Sequence, residues 1–279
     1  MKVLFVSSGN SSSGISPIVK AQGDSLVSLG LNVSYFAVTG KGVWGYLKNI
    51  GSLRKTMVEE NYDIVHAHFS LSGFVASLAG ASPLIVSLMG WNVQKPLLRF
   101  FIRVFNKLTW DACIVKSNKM RDSLGIKKVS VIPNGVDQNR FYVMEKNVAQ
   151  KYLGWDPMKT HLLCAADPKR PIKNVGLARE AYELIKTDST ELHFLGDIAF
   201  EEVVYHYNAS DVVFLTSKAE GSPNVIKEAL ACNSKVVSTD VGDVAERFGD
   251  NSACFIAKHE AADIANKLKL ALAYQGDVN

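Results

Sequence analysis

Short apolar runs rich in β-branched residues alternate with longer amphipathic stretches through most of this sequence. Six of these runs lie in the first half, at residues 3–6, 33–38, 64–65, 84–88, 112–115 and 129–132, and four more follow at residues 161–166, 192–195, 212–215 and 235–238. This alternation predicts repeated βαβ units, whose strands form mostly parallel sheets covered by helices. The predicted fold class is therefore α/β.

The alternation stops between residues 132 and 157. Pro133, Asn134 and Gly135 are turn formers, and a polar stretch follows them. We therefore predict two Rossmann-like domains, residues 1–142 and residues 143–279, whose parallel sheets face each other across a cleft. Ligands of such sheets bind beyond the carboxyl ends of the strands, so the active site is expected in this cleft.

The two halves differ in charge. Residues 1–145 have 16 Lys and Arg against 8 Asp and Glu, whereas residues 146–279 have 15 against 19. The four cysteines form no C-x-x-C pair, which argues against a disulfide framework or a thiolate metal site and fits a reducing cytosol. The apolar run at residues 3–6 is too short for a signal-peptide core or a membrane span, so a cytoplasmic location is expected.

A glycine-containing loop follows the first predicted strand. Gly9 and Gly14 have the G-x-x-x-x-G spacing of a P-loop, but Ile15 stands where the phosphate-binding Lys belongs, so ATP hydrolysis is not expected. A dinucleotide-binding fingerprint is also missing. The loop around Gly14 could still offer backbone N–H groups to a phosphate. The alternative is a tight turn into a helix that begins at about Pro17.

The most informative segment joins the third strand of the second half to a helix. The strand is expected to end at about Ser217, and Ser222 and Pro223 are predicted as the N-cap and first residue of the helix. Glu220 then lies in the loop and Glu228 on the second helical turn. The helix N-terminus suits a diphosphate or sugar hydroxyls, and the carboxylates suit the hydroxyls of a sugar or a ribose.

A pair of cations lies upstream of this segment. Arg170 and Lys173 follow the first strand of the second half and precede a helix. Fixed cations there would stabilise the negative charge on a departing nucleoside diphosphate, with Arg as a bidentate fork and Lys as a point charge. Without further context the same segment is an ordinary solvated basic turn.

Together the two segments resemble the R-x-x-K and E-x7-E motifs of the family 4 retaining glycosyltransferases, which have the GT-B fold. Seven residues separate Glu220 from Glu228, and the similarity continues to Asp243. The resemblance implies transfer of a sugar from a nucleotide sugar, a UDP- or GDP-sugar, with retention at the anomeric carbon and without a cofactor or a required metal. The absence of a D-x-D sequence, the usual metal-binding motif of GT-A enzymes, agrees with this.

The resemblance also assigns roles by position. The catalytic residues are expected to be Arg170 and Lys173, which would bind the donor diphosphate, and Glu220, which would bind hydroxyls of the donor sugar. Glu228 is expected on the ribose. The other expected donor-binding residues are Gly14 of the first loop and Gly221, Ser222, Pro223, Asn224 and Val225 of the second. His68 and Gly90 are expected on the acceptor side.

The chain departs from the family pattern after residues 84–88. Many relatives have H-G-x-D there, with the His facing the donor sugar, whereas this chain has Met89, Gly90, Trp91 and Asn92. Because Met89 forms no strong hydrogen bond, a second hypothesis is a non-catalytic nucleotide-sugar-binding subunit that supports a partner transferase. A third is a sugar-nucleotide epimerase of GT-B fold. The complete donor motifs favour the transferase.

Histidines provide no predicted metal site. His66 and His68 end a short strand and lie on one face of it. Metal binding there is possible, but no third ligand is evident, and an acceptor-side or structural role is favoured. The remaining histidines, at positions 161, 193, 206 and 259, stand alone in the sequence, and each is expected to be structural.

A basic amphipathic helix is predicted around residues 95–108. Lys95, Arg99, Arg103 and Lys107 recur every four residues beside a broad apolar surface. The helix either packs on the core with a solvated edge or contacts anionic lipid. We therefore expect peripheral attachment to the cytoplasmic face of a membrane, where a lipid-linked acceptor would lie, in polysaccharide or glycolipid biosynthesis. Nucleic-acid binding is not expected, because no RNA-binding motif or basic tail is present.

Overall fold

The computed structural model describes residues 1–11, 14–90, 93, 95–276 and 278. The chain divides into two compact units, Met1–Pro133 and Asn134–Asn279. Each unit has one parallel sheet with helices packed against it, which confirms the predicted α/β class. Among the residues described, no helix combines the length and apolar character that a bilayer span requires.

The first unit has a six-stranded parallel sheet in the order β2-β1-β3-β4-β5-β6. Its strands are β1 (Lys2–Ser8), β2 (Asn32–Val38), β3 (Ile64–His68), β4 (Leu84–Ser87), β5 (Ala112–Val115) and β6 (Ser130–Val131). Its helices are α1 (Pro17–Ser28), α2 (Gly42–Leu47), α3 (Ile50–Glu60), α4 (Ser70–Leu78), α5 (Pro96–Leu108) and α6 (Asn118–Leu124). Every strand predicted in this half is present, and α1 begins at Pro17 as expected.

The central strand β1 is apolar on both faces because each face is covered. Leu4 and Val6 belong to one apolar cluster, whereas Val3 and Phe5 belong to another, as the two-residue period of a strand requires. This double burial explains why the run at residues 3–6 is continuously apolar rather than alternating.

The second unit has a five-stranded parallel sheet in the order β11-β10-β9-β7-β8. Its strands are β7 (Thr160–Cys164), β8 (Thr190–Phe194), β9 (Val212–Leu215), β10 (Val236–Thr239) and β11 (Cys254–Ala257). Its helices are α7 (Lys146–Leu153), α8 (Val175–Glu183), α9 (Val203–Ala209), α10 (Asn224–Ala231), α11 (Val244–Phe248) and α12 (Ala261–Ala273), and a 3₁₀ turn covers Pro171–Lys173.

Helix α7 and strand β11 of the second unit are absent from the sequence predictions. Helix α7 lies inside the stretch predicted as polar and irregular; its apolar content is small, with Val148 exposed and Ala149 buried. Strand β11 is only four residues long, and its pairing with β10 is what defines it. Both elements depend on tertiary packing more than on local sequence.

Residues 134–142, which the sequence analysis assigns to the first domain, belong to the second unit. Phe141 is buried in the core of this unit, where its ring centroid lies 6.0 Å from that of Tyr207. The backbone oxygen of Asn134 accepts a hydrogen bond from Lys227 Nζ at 2.9 Å. Through these contacts residues 134–142 pack with the second unit.

Candidate active site

The second sheet reverses its direction of growth at β7. From β7 the chain passes to β8 at one edge and then crosses to β9 on the other side of β7. The loops that leave the carboxyl ends of β7 and β9 therefore lie side by side, at the position where open α/β sheets bind their ligands. Residues 165–174 and 216–223 occupy these two positions.

Lys173 and Glu220 meet between these loops. Lys173 Nζ lies 2.6 Å from Oε1 of Glu220, and the same oxygen accepts a hydrogen bond from Ser217 Oγ at 2.8 Å. The two side chains are only 9% and 16% exposed, so solvent ions screen this pair weakly. A cation and a carboxylate 47 positions apart in the sequence thus form one charged centre.

Backbone hydrogen bonds connect the two loops around this centre. Thr216 Oγ1 donates to the backbone oxygens of Lys173 and Asn174, at 3.1 Å each. The N–H of Lys218 donates to the oxygen of Ile172 at 2.9 Å. The position of Lys173 is therefore set by the β9 loop as well as by its own loop.

Arg170 lies at the start of the 3₁₀ turn and is exposed. Its backbone N–H donates to the oxygen of Asp167 at 3.1 Å, while its guanidinium pairs with no carboxylate among the residues described. The neighbouring Lys169 is paired with Asp197 at 2.6 Å. Of the three cations in this loop, Lys169 is paired at the surface, Lys173 is paired with the mostly buried Glu220, and Arg170 is exposed.

Glu228 lies on α10, where Oε2 accepts a hydrogen bond from the hydroxyl of Tyr207 at 2.9 Å. Burial raises the pKa of Glu228, and the Tyr207 hydrogen bond and the charges of Lys227 and Lys173 act in the opposite direction. Lys173 and Glu228 are therefore close enough to interact electrostatically.

The start of α10 differs from the prediction. The helix begins at Asn224 with Pro223 as its N-cap, and no side chain caps it. Ser222, predicted as the N-cap, instead donates its hydroxyl proton to Oδ2 of Asp243 at 2.8 Å. The reason is tertiary: β10 pairs with β9, so the loop after β10 brings Asp243 beside the loop after β9.

Asp243 is a site residue to which the sequence analysis assigned no role. It is 1% exposed, its Oδ2 also lies 3.1 Å from Nε of Arg247, and its Oδ1 has no hydrogen-bond partner among the residues described. The preceding Gly242 has φ +58°, and a Cβ there would lie 2.7 Å from the backbone oxygen of Gly221. The Gly-Asp pair after a buried run was the sequence signal for this close approach.

Asn134 and Lys227 were also missed. Lys227 Nζ donates to the oxygen of Asn134, and Asn134 Nδ2 donates to Oδ1 of Asn224 at 3.2 Å. Burial lowers the pKa of Lys227 to about 8. The first turn of α10, with Asn224 and Val225, is therefore positioned by a segment that the sequence showed only as a turn.

The predicted residues of the first unit lie after β1, β3 and β4. Gly14 has φ +71° and donates its N–H to the oxygen of Ser11 at 3.0 Å, which makes a tight turn before α1. Ser12 and Ser13, in the same loop, lie outside the residues described. The turn is therefore observed, and phosphate binding by Gly14 stays a prediction.

His66 and His68 stack on one face of β3, with ring centroids 4.4 Å apart. His66 Nε2 lies 2.8 Å from Ser87 Oγ, and burial lowers the pKa of His66 to about 4. Burial also lowers the pKa of His68, whose ring nitrogens have no hydrogen-bond partner in the part of the chain that the structure describes. Both imidazoles are neutral at neutral pH, and the acceptor-side role of His68 stays a prediction.

Met89 packs against the apolar cluster that contains Val3, Phe5 and Val19. Gly90 follows in a bend, and its acceptor-side role is likewise still a prediction. Trp91 and Asn92, the other departures from the family pattern, lie outside the described residues. The side chain that replaces the usual His is therefore partly buried against this apolar cluster.

Two family models match this chain, one in each half. The model described as Glycosyltransferase Family 4 matches residues 20–140, and the model described as Glycosyl transferases group 1 matches residues 148–273. The chain belongs to the family 4-like glycosyltransferases. The family resemblance inferred from the two donor motifs is confirmed.

Curated relatives of this glycosyltransferase are similar over much of its length. It is 28% identical to the teichuronic acid biosynthesis glycosyltransferase TuaC of Bacillus subtilis, over 84% of this chain and 68% of TuaC. It is also 28% identical to the D-inositol 3-phosphate glycosyltransferase of Mycobacterium sp. strain KMS, over 74% of this chain and 58% of that protein. The chain thus spans about two thirds or less of the length of these relatives.

Solved structures show the same fold for this glycosyltransferase. Sucrose-phosphate synthase from Thermosynechococcus elongatus matches with a TM-score of 0.79 and 16% identity, over 98% of this chain and 90% of that one. Anabaena HepE, solved in complex with UDP and glucose, matches with a TM-score of 0.77 and 18% identity over the same shares. The fold is therefore GT-B, with two domains that each contain a parallel sheet.

Proposed function

We propose that this glycosyltransferase moves a sugar from a UDP- or GDP-sugar to a glycan or lipid-linked acceptor in polysaccharide or glycolipid biosynthesis, with retention at the anomeric carbon. The main support is the buried pair of Lys173 and Glu220 at the carboxyl ends of β7 and β9. TuaC is named for teichuronic acid biosynthesis, and HepE was solved with UDP and glucose, which supports a nucleotide-sugar donor and a glycan product.

In this proposal the cations bind the donor diphosphate. Lys173 Nζ carries three N–H groups, and Glu220 accepts one of them at 2.6 Å, so two remain for phosphate oxygens. Arg170 is exposed in the same loop and offers a planar fork for a second oxygen pair. As the sugar departs, negative charge grows on the diphosphate, and these fixed cations stabilise it without moving.

The carboxylates position the donor. Glu220 uses Oε1 for its hydrogen bonds to Lys173 and Ser217, which leaves Oε2 for hydroxyls of the donor sugar. Glu228 uses Oε2 for Tyr207 and would accept a ribose hydroxyl through Oε1. Backbone N–H groups of Gly221, Ser222, Asn224 and Val225, at the start of α10, would donate to the sugar or phosphate.

Substitution of the two loop lysines tests the donor site. We expect Lys173→Ala to lower kcat by at least about 100-fold because it removes a cation that stabilises the leaving diphosphate. Lys169→Ala is the matched control, since Lys169 lies in the same loop but pairs with Asp197 on the surface. Its kcat is expected to stay close to that of the wild type. Equal activity of the two variants would contradict the proposed donor site.

Donor identity, stereochemistry and metal independence need separate measurements. UDP- and GDP-sugars are screened for thermal stabilisation, and release of the nucleoside diphosphate is then followed with lipid-linked and free glycan acceptors. NMR of the product is expected to show the anomeric configuration of the donor. Turnover in the presence of a chelator is expected to equal turnover with added Mg²⁺, because the cations of the protein take the place of a metal at the diphosphate.

A non-catalytic donor-binding subunit is the second candidate, and the packing of Met89 favours it. Met89 packs against the apolar cluster that contains Phe5 and makes no strong hydrogen bond. It therefore does not supply the interaction that a His makes with the donor sugar in relatives. Donor binding without turnover on any acceptor would support this alternative. Recovery or gain of activity in Met89→His would favour the transferase.

We also propose that α5 attaches the protein to the cytoplasmic face of an anionic membrane. Leu97, Phe100 and Leu108 are exposed on this helix, and the nearby Lys107 is also exposed. Arg103 Nε donates to the oxygen of Leu124 at 2.7 Å, so a charge reversal there would disturb α6 as well. The apolar residues are therefore the better positions to change.

Flotation with phosphatidylglycerol-containing vesicles tests this attachment. We expect Leu97→Ser/Phe100→Ser to lose vesicle binding, because both side chains are exposed and would enter the headgroup region. Leu29→Ser is the control, since Leu29 is an equally exposed apolar residue outside α5 in the same unit. Equal flotation of both variants would rule out attachment through α5.

A further inference from the structure

Three side chains with metal-binding chemistry come together on the surface of β7 and β8. His161 pairs with Glu191 in the parallel register, and Leu163 pairs with His193, so the three lie on one face of the two strands. His161 and His193 stand alone in the sequence, and each was expected to be structural. The two residues are 32 positions apart in the chain, and the pairing of β7 with β8 brings their side chains into contact.

The ligand atoms form a compact triangle. His161 Nδ1 lies 3.0 Å from His193 Nε2 and 3.5 Å from Glu191 Oε2, and His193 Nε2 lies 3.7 Å from the same oxygen. In tetrahedral zinc sites with metal–ligand bonds of about 2.0–2.1 Å, neighbouring ligand atoms are about 3.3 Å apart. The observed triangle therefore has the size that one tetrahedral ion requires.

We propose that His161, Glu191 and His193 bind a divalent transition-metal ion, with zinc as the best fit. Two imidazole nitrogens and one carboxylate oxygen are ligands that suit zinc and its transition-metal neighbours, whereas Mg²⁺ and Ca²⁺ favour sites built from oxygen alone. Three protein ligands leave one position of the tetrahedron for water or another small ligand.

Neighbouring groups orient each ligand. His161 Nε2 lies 2.8 Å from the backbone oxygen of Asp156, so Nε2 carries the proton and Nδ1 presents its lone pair to the triangle. Lys159 Nζ binds the other carboxylate oxygen of Glu191 at 2.6 Å. Trp155 stacks on the ring of His193 with centroids 3.6 Å apart. Such outer contacts are the usual surroundings of histidine metal ligands.

Protonation and access are also compatible with metal binding. Because His161 Nδ1 is an acceptor, its 3.0 Å contact places a proton on Nε2 of His193 in the metal-free chain, and this proton has to move to Nδ1 of His193 when an ion binds. His193 would bind through Nε2 as its Nδ1–H tautomer. His161 is fully buried, while the side chains of His193 and Glu191 are 20% and 34% exposed, so an ion would enter from the edge strand β8.

The site is independent of the proposed transfer reaction, because its ligands lie on strands and not on the loops that hold the donor residues. A metal there would connect the edge strand β8 to β7. Its ligands come together only when these strands are paired, so the ion binds the folded state and raises its stability. The ion is therefore expected to have a structural effect.

Titration of the chelator-treated full chain with Zn²⁺, followed by calorimetry and thermal unfolding, tests the proposal. We expect one ion per chain and a rise in Tm of at least about 3 °C. Co²⁺ at the same site is expected to show the visible absorption of tetrahedral coordination. His193→Phe keeps the stacking on Trp155 and removes one ligand, and Glu191→Gln keeps the size of the side chain; each is expected to weaken Zn²⁺ binding at least about tenfold.

His259→Gln is the control, since this exposed histidine lies outside the cluster and its loss should leave Zn²⁺ affinity unchanged. Absence of Zn²⁺ binding to the wild-type chain would mean that His161 and His193 form only a hydrogen-bonded pair, and would overturn the proposal. Equal affinity in the wild type and both ligand variants would do the same, because the ion would then bind elsewhere. Neither result would bear on donor binding, which is measured separately with the nucleotide sugar.

Discussion

The hydroxyl of Tyr207 on α9 donates to Oε2 of Glu228 on α10 across 2.9 Å. Tyr207 is fully buried, and burial raises the pKa of both groups. The carboxylate therefore lies in an environment that disfavours its charge, and one phenol hydrogen bond compensates only part of this. A charged group kept at such a position is expected to serve binding rather than stability.

Glu228→Gln should separate these two roles. Because burial raises the folded-state pKa of Glu228 above its unfolded value, the folded chain loses stability as pH rises from the unfolded pKa through the folded one. Removing the charge should leave the free energy of unfolding at pH 7 unchanged or higher, while the Kd for the nucleotide sugar rises. Chemical denaturation and calorimetric donor titration measure the two effects. A less stable variant with unchanged donor affinity would assign Glu228 a structural role.

Tyr207→Phe is the partner experiment. It leaves Glu228 Oε2 without its phenol donor, so we expect the free energy of unfolding at pH 7 to fall by about 1–3 kcal/mol. In the Glu228→Gln background the same change should cost less, because the remaining acceptor is neutral. If Tyr207→Phe lowered the free energy of unfolding equally in the wild type and in Glu228→Gln, the Tyr207 hydrogen bond would not stabilise the charge of Glu228.

The contributions of Lys173 and Glu220 to the free energy of unfolding are expected to depend on each other. Single changes to Lys173→Met or Glu220→Gln leave one mostly buried charge without its partner, so the double variant should be more stable than the sum of the single effects predicts, by about 1–3 kcal/mol. The exposed pair of Lys169 and Asp197 is the control and should show no measurable coupling. Urea denaturation of each set of variants measures the coupling energy, and a value near zero for the buried pair would contradict this prediction.

Gly242→Ala should disrupt the contact between the β9 and β10 loops. The new Cβ would meet the backbone oxygen of Gly221 at 2.7 Å, and φ +58° adds left-handed strain, so we expect a loss of at least about 2 kcal/mol and weaker donor binding. Gly154→Ala is the control, because Gly154 has φ +69° with open space around the added atom. It should cost only the strain, about 1 kcal/mol, and leave donor affinity unchanged. Similar results for the two variants would show that the Gly221 contact is unimportant.

Acid should destabilise the chain through His66. Burial, and then the charge of Lys116, lower the pKa of His66 from 6.5 to about 4, so its contribution to stability is present above pH 6.5 and is lost as pH falls towards 4. That shift corresponds to about 3 kcal/mol. His66→Gln, which cannot titrate there, should lose less stability than the wild type between pH 7 and pH 4. Parallel pH profiles of the two proteins would contradict the role of His66.

The sequence by itself determined the fold class, the number of domains and the family. Buried parallel strands need continuous apolar runs because both of their faces are covered. Such runs, for example residues 3–6 and residues 212–215, can be recognised in the sequence without knowledge of the rest of the fold. The strand-to-helix loops that contain Arg170 and Glu220 were also predictable, because glycines, prolines and charged residues at fixed spacing specify a loop between a strand and a helix. The first helix, which begins at Pro17, followed from the same local rules.

Only the tertiary structure decided which side chains meet. The order β11-β10-β9-β7-β8 places loops from distant parts of the chain side by side, so Ser222 bonds to Asp243 instead of capping α10, and Lys173 pairs with Glu220. The same pairing of β7 with β8 brings His161 to His193. Strand order is set by how whole sheets bury their faces, which is a property of the complete chain and leaves no local pattern in the sequence.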